Sequence, residues 1–164
     1  MASMPEPRAQ PSSLMLSALP LFTLHAELDA ILRFGPTPYR DRRVIGIRGG
    51  TVDGPRLKGR VLPGGADWQI VRADGAADIQ ARYTIESENG GHILVTSEGL
   101  RHGPPEVMDR LARGENVDPA LYYFRTVMRF ETAEPSLAWL NTILALARGR
   151  REPRAVRLDV YEVQ

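Results

Sequence analysis

Cysteine is absent from all 164 residues, which removes disulfides, thiolate nucleophiles and cysteine-ligated metals from consideration. Lysine is nearly absent as well: of 21 basic residues only Lys58 is one. Arginine's planar fork suits carboxylate pairing, although a compositional bias of the whole chain explains the preference as simply. No apolar run approaches the ~18–20 residues that a membrane span needs. Residues 14–24 imitate the apolar part of a signal peptide. Leu24-His25-Ala26 is a poor cleavage match, however, and Arg8 is the one preceding positive charge, opposed by Glu6. The formal net charge of +1 and the lack of a long basic tract give nucleic acid no handle. These absences lead us to expect a cytoplasmic protein with neither nucleic acid nor membrane as partner.

Chemical signatures are equally sparse. The glycine pairs sit in strand turns, so no phosphate-cradling loop precedes a helix. His25, His92 and His102 lack ligand spacing, and no metal site is expected. Ser, His and Asp occur without a nucleophile-elbow pattern. No motif calls for a cofactor.

What is present is strand periodicity. Residues 1–13 hold three prolines and no period and read as a disordered arm. Residues 14–164 suit a single domain. Phe22, Leu24, Ala26, Leu28 and Ala30 alternate with polar residues, as a half-buried strand does. After a loop at 35–39, strands are predicted at 42–48 and 57–62, separated by a Gly49-Gly50 break. Gly46 and Gly59 inside these runs mark bends or bulges. Residues 67–72 and 78–85 flank Asp74-Gly75, a strong hairpin signal. Asn89-Gly90-Gly91 turns the chain into a strand at 92–100, giving an antiparallel meander. Residues 104–113 form the one plausible helix, with Pro at its start, Gly114 after it, and Val107, Met108 and Leu111 as its buried stripe. Further strands are predicted at 121–132, 138–147 and 155–163. Eight or nine strands with turns every 8–14 residues and one short helix predict an all-β antiparallel barrel.

Polar and aromatic residues placed mid-strand are the candidate site. Asp67 and Gln69 share one face, and Tyr123, Arg125 and Glu131 another. Trp139 and Asn141 share a third, and Arg82 follows the same logic. A charge in mid-strand must be exposed, or paired if buried. Arg125 with Asp67 or Glu131 would pair well in a lumen, where desolvation would raise the carboxyl pKa towards acid–base use. The alternative is that these residues face solvent or form bridges that only hold the barrel together. The cluster Arg148, Arg150, Arg151, Arg154 and Arg157 could contact an anionic ligand, but reads more simply as a solvated turn.

The run GGTVDGPRLKGRVLPGGADWQIVRADGAADIQARYTI, followed by YYFRTVMRFET and LAWLN, resembles the DUF3237 family, also called UPF0311, over residues 19–163. The resemblance implies a barrel of the allene oxide cyclase and dirigent type. Most members have no known function. Some fungal relatives are associated with ring-forming steps, such as addition of a hydroxyl across a double bond within one molecule. It points to Asp67, Trp68, Arg82, Tyr83, Tyr123, Arg125, Trp139 and Asn141 as site residues. Leu137 departs from the pattern, where an aromatic is expected before Trp-Leu-Asn.

Three functions fit. The first is a cofactor-free isomerase or cyclase for a hydrophobic or phenolic metabolite. In it Asp67 or Glu131 moves a proton, and Arg125 and Arg82 hold an oxyanion. Tyr123 donates a hydrogen bond, and Trp68 and Trp139 supply an apolar wall. The second is a binding barrel that carries such a ligand without chemistry. The third is a structural homo-oligomer with its interior filled by side chains. They separate on lumen size, since ligand sites start at about 300 Å³.

Overall fold

Ten strands carry most of the regular structure in the computed structural model, which describes residues 15–164. The arm predicted at 1–13 lies outside those residues. The strands are β1 (Ala18–Leu28), β2 (Leu32–Thr37), β3 (Arg40–Asp53), β4 (Gly59–Val61), β5 (Ala66–Val71), β6 (Ala77–Ser87), β7 (His92–His102), β8 (Tyr123–Thr132), β9 (Ala145–Glu152) and β10 (Ala155–Val163). Helix α1 (Pro105–Ala112) lies between β7 and β8.

All pairings are antiparallel, and they close on themselves. β1 pairs with β10 on one side and β3 on the other. β3 continues to β4 and β5, which share one position in the wall and both pair with β6. From β6 the wall runs through β7, β8 and β9 back to β10. The result is an eight-position barrel, with β2 added to β3 beyond the ring. Closure removes the exposed sheet edges that an open sheet would carry.

Alternation sets the interior. Ile79, Ala81, Tyr83 and Ile85 of β6 point inward, with Ile93, Val95 and Ser97 of β7 and Phe124, Thr126, Met128 and Phe130 of β8. The meander forms as expected. Gly75 (φ 84°) and Gly90 (φ 86°) supply the positive φ of its two turns. α1 follows the end of β7 and the 3₁₀ segment Pro135–Thr142 follows the end of antiparallel β8, so they lie at opposite ends of the barrel. α1 buries Val107 and Leu111, with Met108 half-buried, and caps the mouth. The 3₁₀ segment closes the far end with Leu140, which is fully buried. No helix among the described residues is long and apolar enough to cross a membrane.

Four local expectations are corrected. β3 does not break at Gly49-Gly50. The register shifts opposite those glycines, and the strand bends there, passing from β5 to β4 as its partner. The loop expected at 35–39 is mostly strand, because β2 hairpins onto β3. The strand expected at 57–62 shrinks to Gly59–Val61. Residues 138–147 are not one strand. Pro135 and the Glu134 side chain, which accepts from Ser136 N–H, start a 3₁₀ turn through Thr142, and β9 begins only at Ala145.

Gly149 faces inward on β9 beneath the Phe124 ring, and a Cβ there would lie 2.5 Å from ring carbons. Gly149→Ala is expected to cost ~1–3 kcal/mol by overpacking, read as a lower midpoint in chemical denaturation. An unchanged midpoint would show that the ring has room to move.

Candidate functional site

The inward face of β5 carries two polar residues, Asp67 and Gln69. Asp67 stands opposite Ala81 of β6, whose side chain is also inward. Beyond that pair the β5–β6 ladder lapses until Ile70 and Asp78. Gln80 N–H instead donates to Asp67 Oδ1 at 2.9 Å, while the Trp68 carbonyl accepts from the Arg42 guanidinium at 2.7 Å. Asp67 Oδ2 accepts from Gln69 Nε2 at 3.0 Å, and Gln69 Oε1 accepts a long bond from Arg101 at 3.4 Å. An amide thus bridges a carboxyl and a guanidinium, and no ion pair joins the two directly.

Arg101 is the last inward residue of β7 and is only 8% exposed. Its guanidinium lies 5.5 Å from the centre of the Phe124 ring. Arg151 continues the inward series Ala145, Ala147, Gly149 of β9. It donates to the carbonyls of Glu152 and Ala155, and its own N–H donates to the Tyr122 hydroxyl at 2.8 Å. Arg43 enters from β3, with a 3.5 Å contact to Asp41. Three buried polar atoms have no hydrogen-bond partner among the described residues: Arg43 Nε, Arg101 Nε and the Tyr83 hydroxyl.

Burial dominates the electrostatics. It raises the Asp67 carboxyl above the ordinary carboxylate value, against the opposing pull of the Gln80 and Gln69 bonds and of Arg101. It lowers Arg101 to about 10, helped by the neighbouring charge of Arg151. Arg151 and Arg43 are lowered by burial too, and Tyr83 is raised by it.

Two neighbouring spaces meet these groups. A void of about 50 Å³ in the lumen touches Asp67, Tyr83, Ser97, Arg101 and Arg151 between apolar walls. A cleft of about 200 Å³ at the mouth, under α1, shares Ile45, Arg101 and Arg151 with it and adds Arg43 and Met108. Each falls short of the ~300 Å³ at which ligand sites start. Three larger spaces among the described residues, of about 320, 410 and 450 Å³, are open grooves outside the lumen.

Of the nine residues predicted for the site, the barrel brings Asp67 and Tyr83 to the lumen. The other seven are corrected. Trp68 (42% exposed) and Arg82 alternate with inward neighbours and therefore face outward. Tyr123, Arg125 and Glu131 lie on the outer wall of β8, because Phe124, Thr126, Met128 and Phe130 take its inward parity. Arg125 donates to the Phe124 carbonyl, lies over the Tyr123 ring, and stands opposite Arg148. It meets neither Asp67 nor Glu131. Trp139 and Asn141 belong to the far end. Arg56 stacks on Trp139 at 4.0 Å, and Asn141 brackets the Thr132 backbone with two hydrogen bonds. Leu137 packs on the core at that same end, away from the mouth.

Arg43 and Arg101 carried no site expectation, and Arg151, expected in a solvated turn, instead lies on β9 and lines both spaces. Arg101 keeps the parity of Ile93, Val95 and Ser97, and Arg151 that of Ala145 and Ala147. Strand parity was the available signal. Among the described residues no group of three or more His or acidic side chains is placed to hold a metal ion.

The family model described as "Protein of unknown function (DUF3237)" matches residues 16–163. A UPF0311 protein of Bradyrhizobium diazoefficiens is 41% identical over 143 residues, 87% of this chain and 93% of that one. The crystal structure of a conserved protein of unknown function from Rhodopseudomonas palustris superposes with a TM-score of 0.88 at 37% identity, covering 93% of this chain and all of that one. A β-barrel-like protein from Acinetobacter baumannii gives 0.81 at 39%, covering 94% and 100%. An enzyme from Penicillium herquei shares the fold at 19% identity, with a TM-score of 0.69 over 95% of this chain and 98% of that one.

A raised Asp67 pKa has a defined sign in stability. Between the ordinary carboxyl value and the raised one, the folded state binds more protons than the unfolded chain, so stability falls as pH rises through that window. Asp67→Asn abolishes this loss. The melting temperature of the variant minus that of the parent is expected to grow as pH rises from about 4, the ordinary carboxyl value. A difference that stays flat across pH would contradict a raised pKa.

Proposed function

The chain belongs to the DUF3237 family, and from that premise we propose that it is a cofactor-independent isomerase or cyclase acting at the mouth and lumen of its barrel. The observation that carries this reading is one desolvated carboxyl sharing a cavity with buried donors that lack partners. Buried donors are nearly always satisfied in native proteins. Arg101 Nε and the Tyr83 hydroxyl, both lining the lumen, are not satisfied by the described residues. A substrate oxygen supplies the missing acceptor.

Isomerisation of an enone, or closure of a ring by adding a hydroxyl across a carbonyl-conjugated double bond, moves one proton from the substrate to the base and back to carbon, and passes through an enolate oxyanion that must be held. Asp67 moves the proton, because burial brings its pKa towards the working range of a general acid or base. Arg101 holds the oxyanion with a charge-assisted bond, and Tyr83 adds a second donor. Leu24, Ile47, Phe124 and Leu158 give the lumen its apolar walls and exclude water. In this reading the cleft of about 200 Å³ takes only a small hydrophobic or phenolic molecule. Asp67, rather than Glu131, thus moves the proton, and the oxyanion role expected of Arg125 and Arg82 passes to Arg101.

The narrow lumen favours a second reading, in which the barrel binds such a molecule without converting it or is simply filled. Incubation with a panel of small phenols, enones and unsaturated alcohols in D₂O separates these, with deuterium uptake and equal-mass products followed by NMR and mass spectrometry. Turnover is expected with at least one substrate. Asp67→Asn should lower it about 10²–10⁴-fold, the usual weight of a general acid–base group, and Arg125→Ala on the outer wall should keep it. Turnover unaffected by Asp67→Asn, or lost with Arg125→Ala, would overturn the assignment. Binding without turnover would establish the carrier.

A further inference from the structure

Three guanidinium groups meet at the mouth of the barrel, and no carboxylate neutralises the deepest of them. Arg101 has one hydrogen bond among the described residues, the 3.4 Å contact to neutral Gln69. No carboxylate oxygen of the described residues lies within 4 Å of it, and its nearest acid, Asp67, is reached only through that amide. Arg151 spends its NH1 on two carbonyls. Arg43 has a 3.5 Å contact to the partly exposed Asp41, and its buried Nε is unpartnered. Two acids, Asp74 and Asp109, also line the cleft, but neither forms an ion pair with Arg43, Arg101 or Arg151. Asp109 is exposed, and exposed Asp74 accepts the Ala76 N–H of its own turn.

A buried guanidinium without a counter-charge is costly, and an arginine does not readily shed its proton to escape the cost. The proximity of Arg151 raises that cost further by repulsion. Buried charges are therefore met by a partner. Here no carboxylate of the described residues reaches Arg101 directly, while the cleft beside Arg101 and Arg43 is open to about 200 Å³ and is lined by Ile31, Ile45, Val71, Met108 and Leu111, with the exposed Asp74 and Asp109 at its rim. Positive charge set in low-dielectric walls concentrates small anions. The planar fork of arginine matches a carboxylate in particular.

We infer that the mouth of the barrel is an anion-binding subsite, and that the molecule it takes is a small organic acid: an anionic oxygen head on Arg101 and Arg43, with Arg151 alongside, and an apolar body under α1. This rests on the reading of the lumen as a ligand site and adds the charge class of the ligand. The head is a carboxylate or an ionised phenol. Either presents an oxygen anion to the unpartnered Nε atoms, and both differ from inorganic phosphate in needing the apolar wall.

The test is calorimetric titration of the full chain at low salt with benzoate, phenylacetate and hexanoate, each against its primary amide, and with 4-nitrophenolate and inorganic phosphate. At least one organic anion is expected to bind at least about tenfold more tightly than its amide, the weight of one charge-assisted hydrogen bond. Affinity should fall as salt rises. The variants Arg101→Met and Arg43→Gln, each checked for native circular dichroism, should bring acid and amide to equal affinity. Arg129→Gln on the outer wall of β8 should leave the preference intact. If Arg101→Met does not fold, Arg43→Gln and the salt dependence decide. Carboxylates outcompeting 4-nitrophenolate identify the carboxyl head, and the reverse identifies the phenolate. Amides binding as well as acids would overturn this inference and leave the lumen site standing. Phosphate binding as tightly as the organic acids would overturn it by showing an unspecific basic patch. No binding by any probe would overturn it together with the lumen site.

Discussion

Strand register decides what this barrel can do. Side chains alternate with a period of two, so a slip of one residue in β5 would turn Asp67 and Gln69 to water and bring Trp68 inward. A slip in β7 would do the same to Arg101. The register is held by packing: the inward set Ile79, Ala81, Tyr83 and Ile85 of β6, together with Ile93, Val95 and Ser97 of β7, cannot be exposed without losing the core. Closure through the β1–β3 pairing then makes one face an interior rather than a half-sheet. The polar network occupies positions that the apolar pattern fixes.

Within that frame the cost of burial sorts the charged residues. Several arginines meet acids at the surface, as Arg60 meets Glu86 and Arg72 meets Asp78, where exposed pairs contribute little to stability. Arg101 and Asp67 are different. They are buried, separated by Gln69, and displaced from their ordinary pKa values by desolvation. Such a pair adds little to stability unless further bonds complete it. The unpartnered Nε atoms and the Tyr83 hydroxyl show that they do not. An incompletely satisfied interior at the open end of a well-packed barrel is what a ligand site requires. The same barrel is closed at its far end by Leu140 and by the Arg56–Trp139 stack.

The architecture was readable in the sequence because its signals are local. Asp74-Gly75 and Asn89-Gly90 fix two turns, and alternation fixes most of the strands. Pro104 and Gly114 bound the helix. Asp67 was readable as well, since a carboxyl inside an alternating run must be solvated or partnered. The rest of the site was not, for two physical reasons. Mid-strand polar residues have two faces to choose from, and on β8 the phenylalanines and Met128 claimed the interior, leaving Tyr123, Arg125 and Glu131 outside. The arginines that do converge come from β3, β7 and β9, 50 or more positions apart in sequence between Arg43, Arg101 and Arg151. Only ring closure brings them to one mouth. Arg151 was masked further by its neighbours Arg148, Arg150 and Arg154, which do face solvent.

The central claim is that the unsatisfied interior at the α1 end is where a ligand sits. A crystal structure of the protein soaked with 4-bromobenzoate tests it most directly, because anomalous scattering locates the bromine and the density orients the carboxylate. The account predicts one site under α1, with the carboxylate on Arg101 and Arg43 and the bromine among the apolar walls. Bromine found only on the outer wall near Arg125, or at the far end beside Trp139, would contradict it.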